Sequence, residues 1–308
     1  MIDHEWCAGD IPVTGDSRDE LHRLLTEAAE ADAEAGFPSF TLDDVVPAGT
    51  RYLLIWLLPD ERTGRDEPPP TLAGCLRLEP SGSSADDAEV RLVIHPELRS
   101  RGIATALCEQ VGLDTGPDDG WAGTGCSRLH CWARGDHPAA QRLSLRFSGT
   151  GLRRARREWR LLALLRRSAD ETAATCTHSA EPGKPGVDAL WRNAGRPGSA
   201  PKDGRVLIAG SEDSPDGAAW FDPDAGEPTE YGPAGLVRAV LVDSARADSG
   251  SPREGVVASL LGAAMAAMGE DGTRVAAITV ADHEEPLLAA CRIAGFQHDR
   301  TDCEYVLG

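Results

Sequence analysis

Residues 168–186 (SADETAATCTHSAEPGKPG) are small, polar and proline-bearing, with no apolar periodicity. They divide the chain into two stretches whose strand and helix patterns partly recur. A chain of 308 residues, at roughly 100–200 per domain, has room for two folding units with separate cores. The expected organisation is a first domain over 1–167, a linker over 168–186 and a shorter second domain over 187–308.

Ahead of the linker, Leu21, Leu24, Leu25, Ala28 and Ala29 share one face at helical spacing with acids opposite, which predicts an amphipathic helix over 19–32. Two β-type runs, 51–58 (RYLLIWLL) and 72–79 (LAGCLRLE), predict a hairpin with a long connection rich in Pro, Asp and Glu. A strand over 89–95 is broken by Pro96, and a helix over 102–111 turns Ile103, Ala106, Leu107 and Val111 inward. A strand over 128–133, a helix from Pro138 and a strand over 158–165 complete the half. Beyond the linker, strands are predicted over 205–209, 217–221 and 236–242, then a helix over 255–268, a strand over 275–280, a helix over 286–294 and a closing strand over 304–307. Residues 187–202 leave room for only a fragment of the long opening helix of the first half.

A net charge of −19 repels a phosphate backbone and argues against nucleic acid as a partner. Hydrophobic residues at 41% and charged residues at 26% exclude wholesale disorder. No apolar run approaches the roughly 18 residues of a membrane span, and the first residues lack a basic, apolar leader; the expected location is the cytoplasm, with no membrane partner. In that compartment the eight cysteines (Cys7, Cys75, Cys108, Cys126, Cys131, Cys176, Cys291 and Cys303) stay reduced. Cys126 and Cys131 flank His130, but no second ligand pair at zinc spacing follows, so they read as packing thiols and no metal is expected. All basic residues but Lys184 and Lys202 are arginine, which suggests a GC-rich genome.

The stretch that carries chemistry is Arg99-Ser100-Arg101-Gly102-Ile103-Ala104, between a strand and a helix. Amides at a helix start lack intrahelical partners, and a glycine there admits close approach, so the turn suits a pyrophosphate; many helices also begin this way for structural reasons alone. Preceded by Val93-Ile94-His95-Pro96, the spacing of Arg99, Gly102 and Ala104 resembles the acyl-CoA motif of the Gcn5-related acetyltransferase superfamily: Gln or Arg, two residues, Gly, one residue, Gly or Ala. The resemblance implies that Leu92, Val93 and Ile94 pair with the pantetheine arm of acetyl-CoA, while Arg99, Ser100, Arg101, Gly102, Ile103, Ala104 and Thr105 hold its diphosphate. Residues 131–140 (CWARGDHPAA), followed by Arg157-Glu158-Trp159, are similar to the first half of the mycothiol synthase family of actinobacteria. That resemblance implies an α/β (α+β) fold of two tandem Gcn5-related acetyltransferase-like domains, each a mixed, mostly antiparallel sheet flanked by helices. It also implies acetyl transfer from acetyl-CoA to the cysteinyl amine of a cysteine–glucosamine–inositol pseudodisaccharide, a small-molecule substrate, by a monomer. A non-catalytic CoA-binding or interaction protein with a degenerate second domain, or an acetyltransferase for another small amine, stay open as alternatives.

The family places its chemistry in the second half. There the resemblance assigns Val240, Leu241 and Val242 to the CoA strand, and Arg253, Glu254, Gly255, Val256, Val257 and Ala258 to the diphosphate loop, with Pro252 and Val257 departing from the motif. The family's general acid, a tyrosine four residues ahead of a glycine, aligns through Gly295 with Cys291, which is either that acid or a packing residue. Ser144 is its counterpart in the first half. Leu236 takes the place of the family's glutamate base, and Glu227 and Glu230 are either substitutes or solvated loop acids. Trp220 and Tyr231 either border a cleft or pack. Arg153, Arg154, Arg156, Arg157 and Arg160 read as an exposed strand face with local ion pairs.

Overall fold

A computed structural model describes residues 1–7, 16–37, 49–59, 69–81, 86–116, 119–165, 177–196, 199–243 and 253–308. In chain order these carry β1 (Ile2–Cys7), α1 (Asp16–Glu34), β2 (Arg51–Leu57), β3 (Thr71–Pro80), β4 (Asp87–Ile94), α2 (Ile103–Val111), β5 (Arg128–Ala133), α3 (Pro138–Arg146) and β6 (Arg153–Leu164). There follow β7 (Thr177–Ala180), α4 (Pro185–Asn193), β8 (Arg205–Ser211), β9 (Ser214–Glu227), β10 (Ala234–Val242), α5 (Arg253–Glu270), β11 (Val275–Ala281), α6 (Glu285–Ile293) and β12 (Gln297–Leu307). Two compact units result: residues 1–157 with 302–308, and residues 158–301.

In the first unit β1, β2, β3 and β4 pair antiparallel in sequence order, β4 runs parallel to β5, and residues 303–307 of β12 pair antiparallel with β5. The unbroken apolar run of β2 is explained by burial on both faces, because successive strand side chains point to opposite sides. Tyr52 and Leu54 meet Leu21, Leu24 and Leu25 of α1. Leu53 and Ile55 join Ile103 and Leu107 of α2 on the other side.

The second unit repeats the scheme. β7, β8, β9 and β10 pair antiparallel in order, β10 runs parallel to β11, and residues 158–164 of β6 pair antiparallel with β11. One face packs Val187 and Leu190 of α4 on Val206, Ile208, Trp220 and Leu241. The other packs Leu260, Leu261 and Ala264 of α5, with Leu288 of α6, on Ala219, Phe221 and Val240.

Several sequence expectations change. The segment read as linker contains β7 and the start of α4; a four-residue strand of sequence THSA has no apolar alternation to announce it, and it exists through pairing with β8. Residues 168–176, including Cys176, lie outside the described residues. β1 was likewise without a clear period, burying only Ile2 and Cys7 at its ends. The two closing strands are exchanged: the strand that ends the first half of the sequence completes the sheet of the second unit, and the strand that ends the chain completes that of the first. The arginine-rich strand is not uniformly exposed. Arg160 is 3% exposed, its guanidinium held by Asp299 at 2.6 Å and the Pro228 carbonyl at 3.0 Å, whereas Arg153 to Arg156 face solvent. No helix among the described residues is long and apolar enough to cross a membrane.

A fragment ending at residue 167 lacks β12, leaving the edge of β5 without its backbone partner and Leu129 without Leu307. This fragment is expected to aggregate or to show a broadened urea transition, while the full chain unfolds cooperatively; size-exclusion chromatography and urea denaturation read the difference. A monodisperse, cooperatively folded fragment would show that the exchanged strand is dispensable.

Candidate functional site

Both units contain a parallel strand pair that parts early. β4 and β5 share rungs only from Asp87–Arg128 to Val90–Cys131, although β4 continues to Ile94 and β5 to Ala133. Beyond Val90, β4 stays paired with β3 as far as Gly74–Ile94, and among the described residues no strand pairs with its opposite edge. In the second unit β10 and β11 share rungs only from Gly235–Ala276 to Val237–Ile278, and β10 runs on to Val242. Each split exposes a row of backbone donors and acceptors to which an extended, amide-bearing arm can pair as a strand does.

In the first unit the split leads into a rigid turn. His95 Nδ1 accepts from the Glu97 N–H at 3.3 Å, capping a short 3-10 turn over Pro96–Leu98, and its Nε2 lies 2.9 Å from Glu27 on α1. Arg99 is pinned backwards, Nε to the Ile94 carbonyl at 3.2 Å and Nη1 to Asp32 at 2.8 Å; its side chain fastens the turn to α1. Ser100 and Gly102 adopt φ of +63° and +81°, and Gly102 caps α2 without a side chain. A Cβ built on Gly102 meets nothing within 4 Å, so the glycine is required by its left-handed backbone and faces open space. Ile103 is buried and anchors the helix start. The amides of Ile103, Ala104 and Thr105 belong to the first turn, where no intrahelical acceptor exists, and they fit a diphosphate. Leu92 and Ile94 pack on the α2 side and Val93 on the α1 side, while Ser100 and Arg101 are exposed.

The second unit differs at the same place. Val240, Leu241, Val242 and Asp243 line a cavity of about 460 Å³ with Leu190 and Asn193 near α4, Val257 of α5 and Leu287 of α6. Arg196 and Glu284 also line it and form an ion pair at 3.2 Å. α5 already begins at Arg253, so Gly255 sits inside its first turn and is absent from the positive-φ glycines. The expected loop over 253–258 is therefore helix, and Pro252 and residues 244–251 lie outside the described residues. Val257 is buried in the core, so its branched side chain packs against the sheet and does not crowd an anion; Val256 and Ala258 are half-buried.

Cys291 is fully buried among Leu288, Ala290 and Phe296. Burial, with Glu284 adding, pushes its thiol up to about 12, which makes it a reluctant proton donor. Ser144 is half-buried on α3, and Leu236 packs against Leu162 and Ala277. Glu227 lies 3.7 Å from Arg160, and hydrogen bonding to Glu230 raises the phenol of the exposed Tyr231. Trp220 is buried edge-to-face with Trp191, ring centres 5.2 Å apart. Cys126 and Cys131 pack in the α2-side core, and burial lifts the Cys131 thiol to about 11.

One constellation was missed by sequence reasoning. His130 Nδ1 lies 3.0 Å from Glu304 Oε1, and Arg156 Nε donates to Glu304 Oε2 at 2.9 Å. Beside them Arg134 Nη1 and the Gly135 N–H hold Asp302 at 2.9 and 3.0 Å. The guanidinium carbons of Arg134 and Arg156 stand 5.1 and 5.2 Å from the Trp132 ring centre. The available signal was the alternation of polar residues on β5 and β12, but the partners are 174 positions apart.

Comparison with known proteins gives no matching family model. The mycothiol acetyltransferase of Saccharomonospora viridis is 28% identical over 323 aligned positions, covering 95% of this chain and 96% of that protein. Those of Thermobispora bispora and Salinispora arenicola are 36% and 32% identical over 49% and 60% of this chain, and 43% and 56% of their own lengths. Among solved structures, a Gcn5-related N-acetyltransferase from Sphaerobacter thermophilus superposes with a TM-score of 0.63 at 16% identity, covering 98% of this chain and 95% of that one. A tandem protein of the same fold from the clavulanic acid biosynthesis pathway gives 0.56 at 16% identity, covering 99% and 98%. The chain has the fold of the tandem Gcn5-related N-acetyltransferases, and in sequence it is similar to mycothiol acetyltransferases.

Proposed function

We propose that this N-acetyltransferase takes acetyl-CoA as donor and acetylates the cysteinyl amine of the cysteine–glucosamine–inositol precursor of mycothiol. The observation that carries the reading is similarity to a mycothiol acetyltransferase along 95% of the chain. The turn at Gly102, open in front and rigid behind, supports the first unit as the place where acetyl-CoA is held. There the amides of Ile103, Ala104 and Thr105 receive the diphosphate, and the strandless edge of β4 from Arg91 to Ile94 receives the arm. The amine then attacks the thioester carbonyl, the C–N bond forms, the C–S bond breaks, and the proton lost by the nitrogen ends on the departing CoA sulfur, so that CoA leaves as its thiol; backbone N–H groups polarise the carbonyl. The burial of Cys291 favours a second reading, a CoA-binding protein without turnover.

Release of free CoA thiol in step with acetylation of the cysteinyl pseudodisaccharide is expected for the enzyme; acetyl-CoA binding without thiol release would leave only the binding reading. Gly102→Asp introduces a left-handed non-glycine residue, at roughly 1–2 kcal/mol, and a carboxylate facing the diphosphate. It should weaken acetyl-CoA at least about tenfold by calorimetry. Gly255→Asp, on an exposed first helical turn where an acid is favourable, should change neither affinity nor turnover by more than about twofold. The opposite pattern would move the donor site to the second unit.

Cys291→Ala should leave the rate within about twofold and lower stability by about 1 kcal/mol, as for a small core truncation. A rate loss of roughly 10²–10⁴ in a folded variant would instead assign the thiol to acid catalysis.

A further inference from the structure

We propose that His130, oriented by Glu304, is the general base of an acyl-transfer site in the first unit. The proposal rests on the acetyltransferase reading above and places its proton transfer. Val90–Cys131 is the last rung of the parallel ladder and Glu89–His130 the one before it, so His130 stands one rung inside the point where β4 and β5 part. An arm entering at the start of α2 and running back along the strandless edge from Ile94 to Arg91 covers about 10 Å at a strand's rise and brings its far end to that point. Along β4 the proposed diphosphate turn thus follows one end of the split edge, and the rung of His130 lies just beyond the other.

The tautomer follows from the partner. A carboxylate flanked by the Arg156 guanidinium accepts hydrogen bonds, so His130 Nδ1 carries the proton toward Glu304 and Nε2 presents its lone pair. Nε2 has no partner among the described residues, and the His130 side chain is 26% exposed against 10% for Glu304. A partly open base whose second nitrogen is fixed by a buried carboxylate is the arrangement that activates nucleophiles. Strand alternation separates His130 from Leu129 and Cys131, which pack on the α2 side. The charged groups around the ring are Glu304 on β12, Arg156 on β6 and Glu89 opposite it on β4, the last bound to Arg91 at 3.1 Å.

In the step itself the amine nitrogen bonds to the acetyl carbon and its proton passes to His130 Nε2. As the C–S bond breaks, the imidazolium returns that proton to the departing CoA sulfur, and His130 ends neutral. Glu304 is a positioning residue that holds the ring through Nδ1.

The test is single-turnover acetyl transfer by the full chain to the cysteine–glucosamine–inositol amine. The expected result for His130→Gln is a rate about 10²–10⁴-fold lower, with acetyl-CoA affinity by calorimetry within about twofold of the unmodified chain. His130→Gly should recover part of its rate on added imidazole, a response that a loss of structure does not give, and Glu304→Gln should lower the rate with affinity retained. Wild-type rate in His130→Gln overturns the proposal, as does parallel loss of rate and affinity without imidazole recovery. Failure of the unmodified chain to transfer acetyl to this amine defeats the acetyltransferase reading for this acceptor, before any variant is measured, and the proposal falls with it.

Discussion

The first unit is arranged around a parallel ladder that stops after four rungs. Between β4 and β5 the hydrogen bonds end at Val90 and Cys131, although both strands continue. Parallel strands normally gain by pairing along their length, so an early parting leaves polar backbone groups that need another partner. The antiparallel ladder between β3 and β4 holds the freed strand straight to Ile94, and the turn from His95 to Gly102 delivers the start of α2 at its end. The outcome is a strand edge free of its parallel neighbour, followed by a helix start whose first amides have no intrahelical acceptor.

The second dependence is the exchange of closing strands. β5 has β4 on one side for only part of its length, and residues 303–307 occupy the other side. That strand does more than satisfy backbone groups, because it brings Glu304 to His130 and Asp302 to Arg134 and Gly135. The polar apex of the first unit is therefore built by the last residues of the chain. A buried carboxylate with two hydrogen-bonded partners is tolerated where an isolated one is not, which accounts for Glu304 at 8% exposure.

The two units differ clearly at the start of the helix that follows the split strand. Gly102 precedes its helix in a left-handed conformation, while Gly255, the residue matched to it by motif, lies inside the first turn of α5. One glycine serves an open turn and the other is an ordinary helical position. Val257 shows the same lesson in reverse: spacing alone set it against an anion, whereas the helix begins early enough to rotate it into the core. A motif spacing specifies contacts only when the helix starts at the same residue.

Much was legible without coordinates. The runs RYLLIWL and LAGCLRLE, the α1 stripe of Leu21, Leu24 and Leu25, the break at Pro96 and the Arg99–Gly102–Ala104 turn are local patterns, and each appears where its periodicity or turn chemistry requires. The strand THSA, the fate of the two closing strands, the burial of Arg160 and the facing of His130 and Glu304 were not legible. Propensity and period describe a segment's own dihedrals and faces, so by itself the sequence determined the strongly periodic strands and helices and the glycine turn that opens α2. Which strand lies beside which depends on hydrogen bonds between residues far apart in the chain, and only the tertiary structure decides those, because a strand's unpaired edge carries no label for its partner.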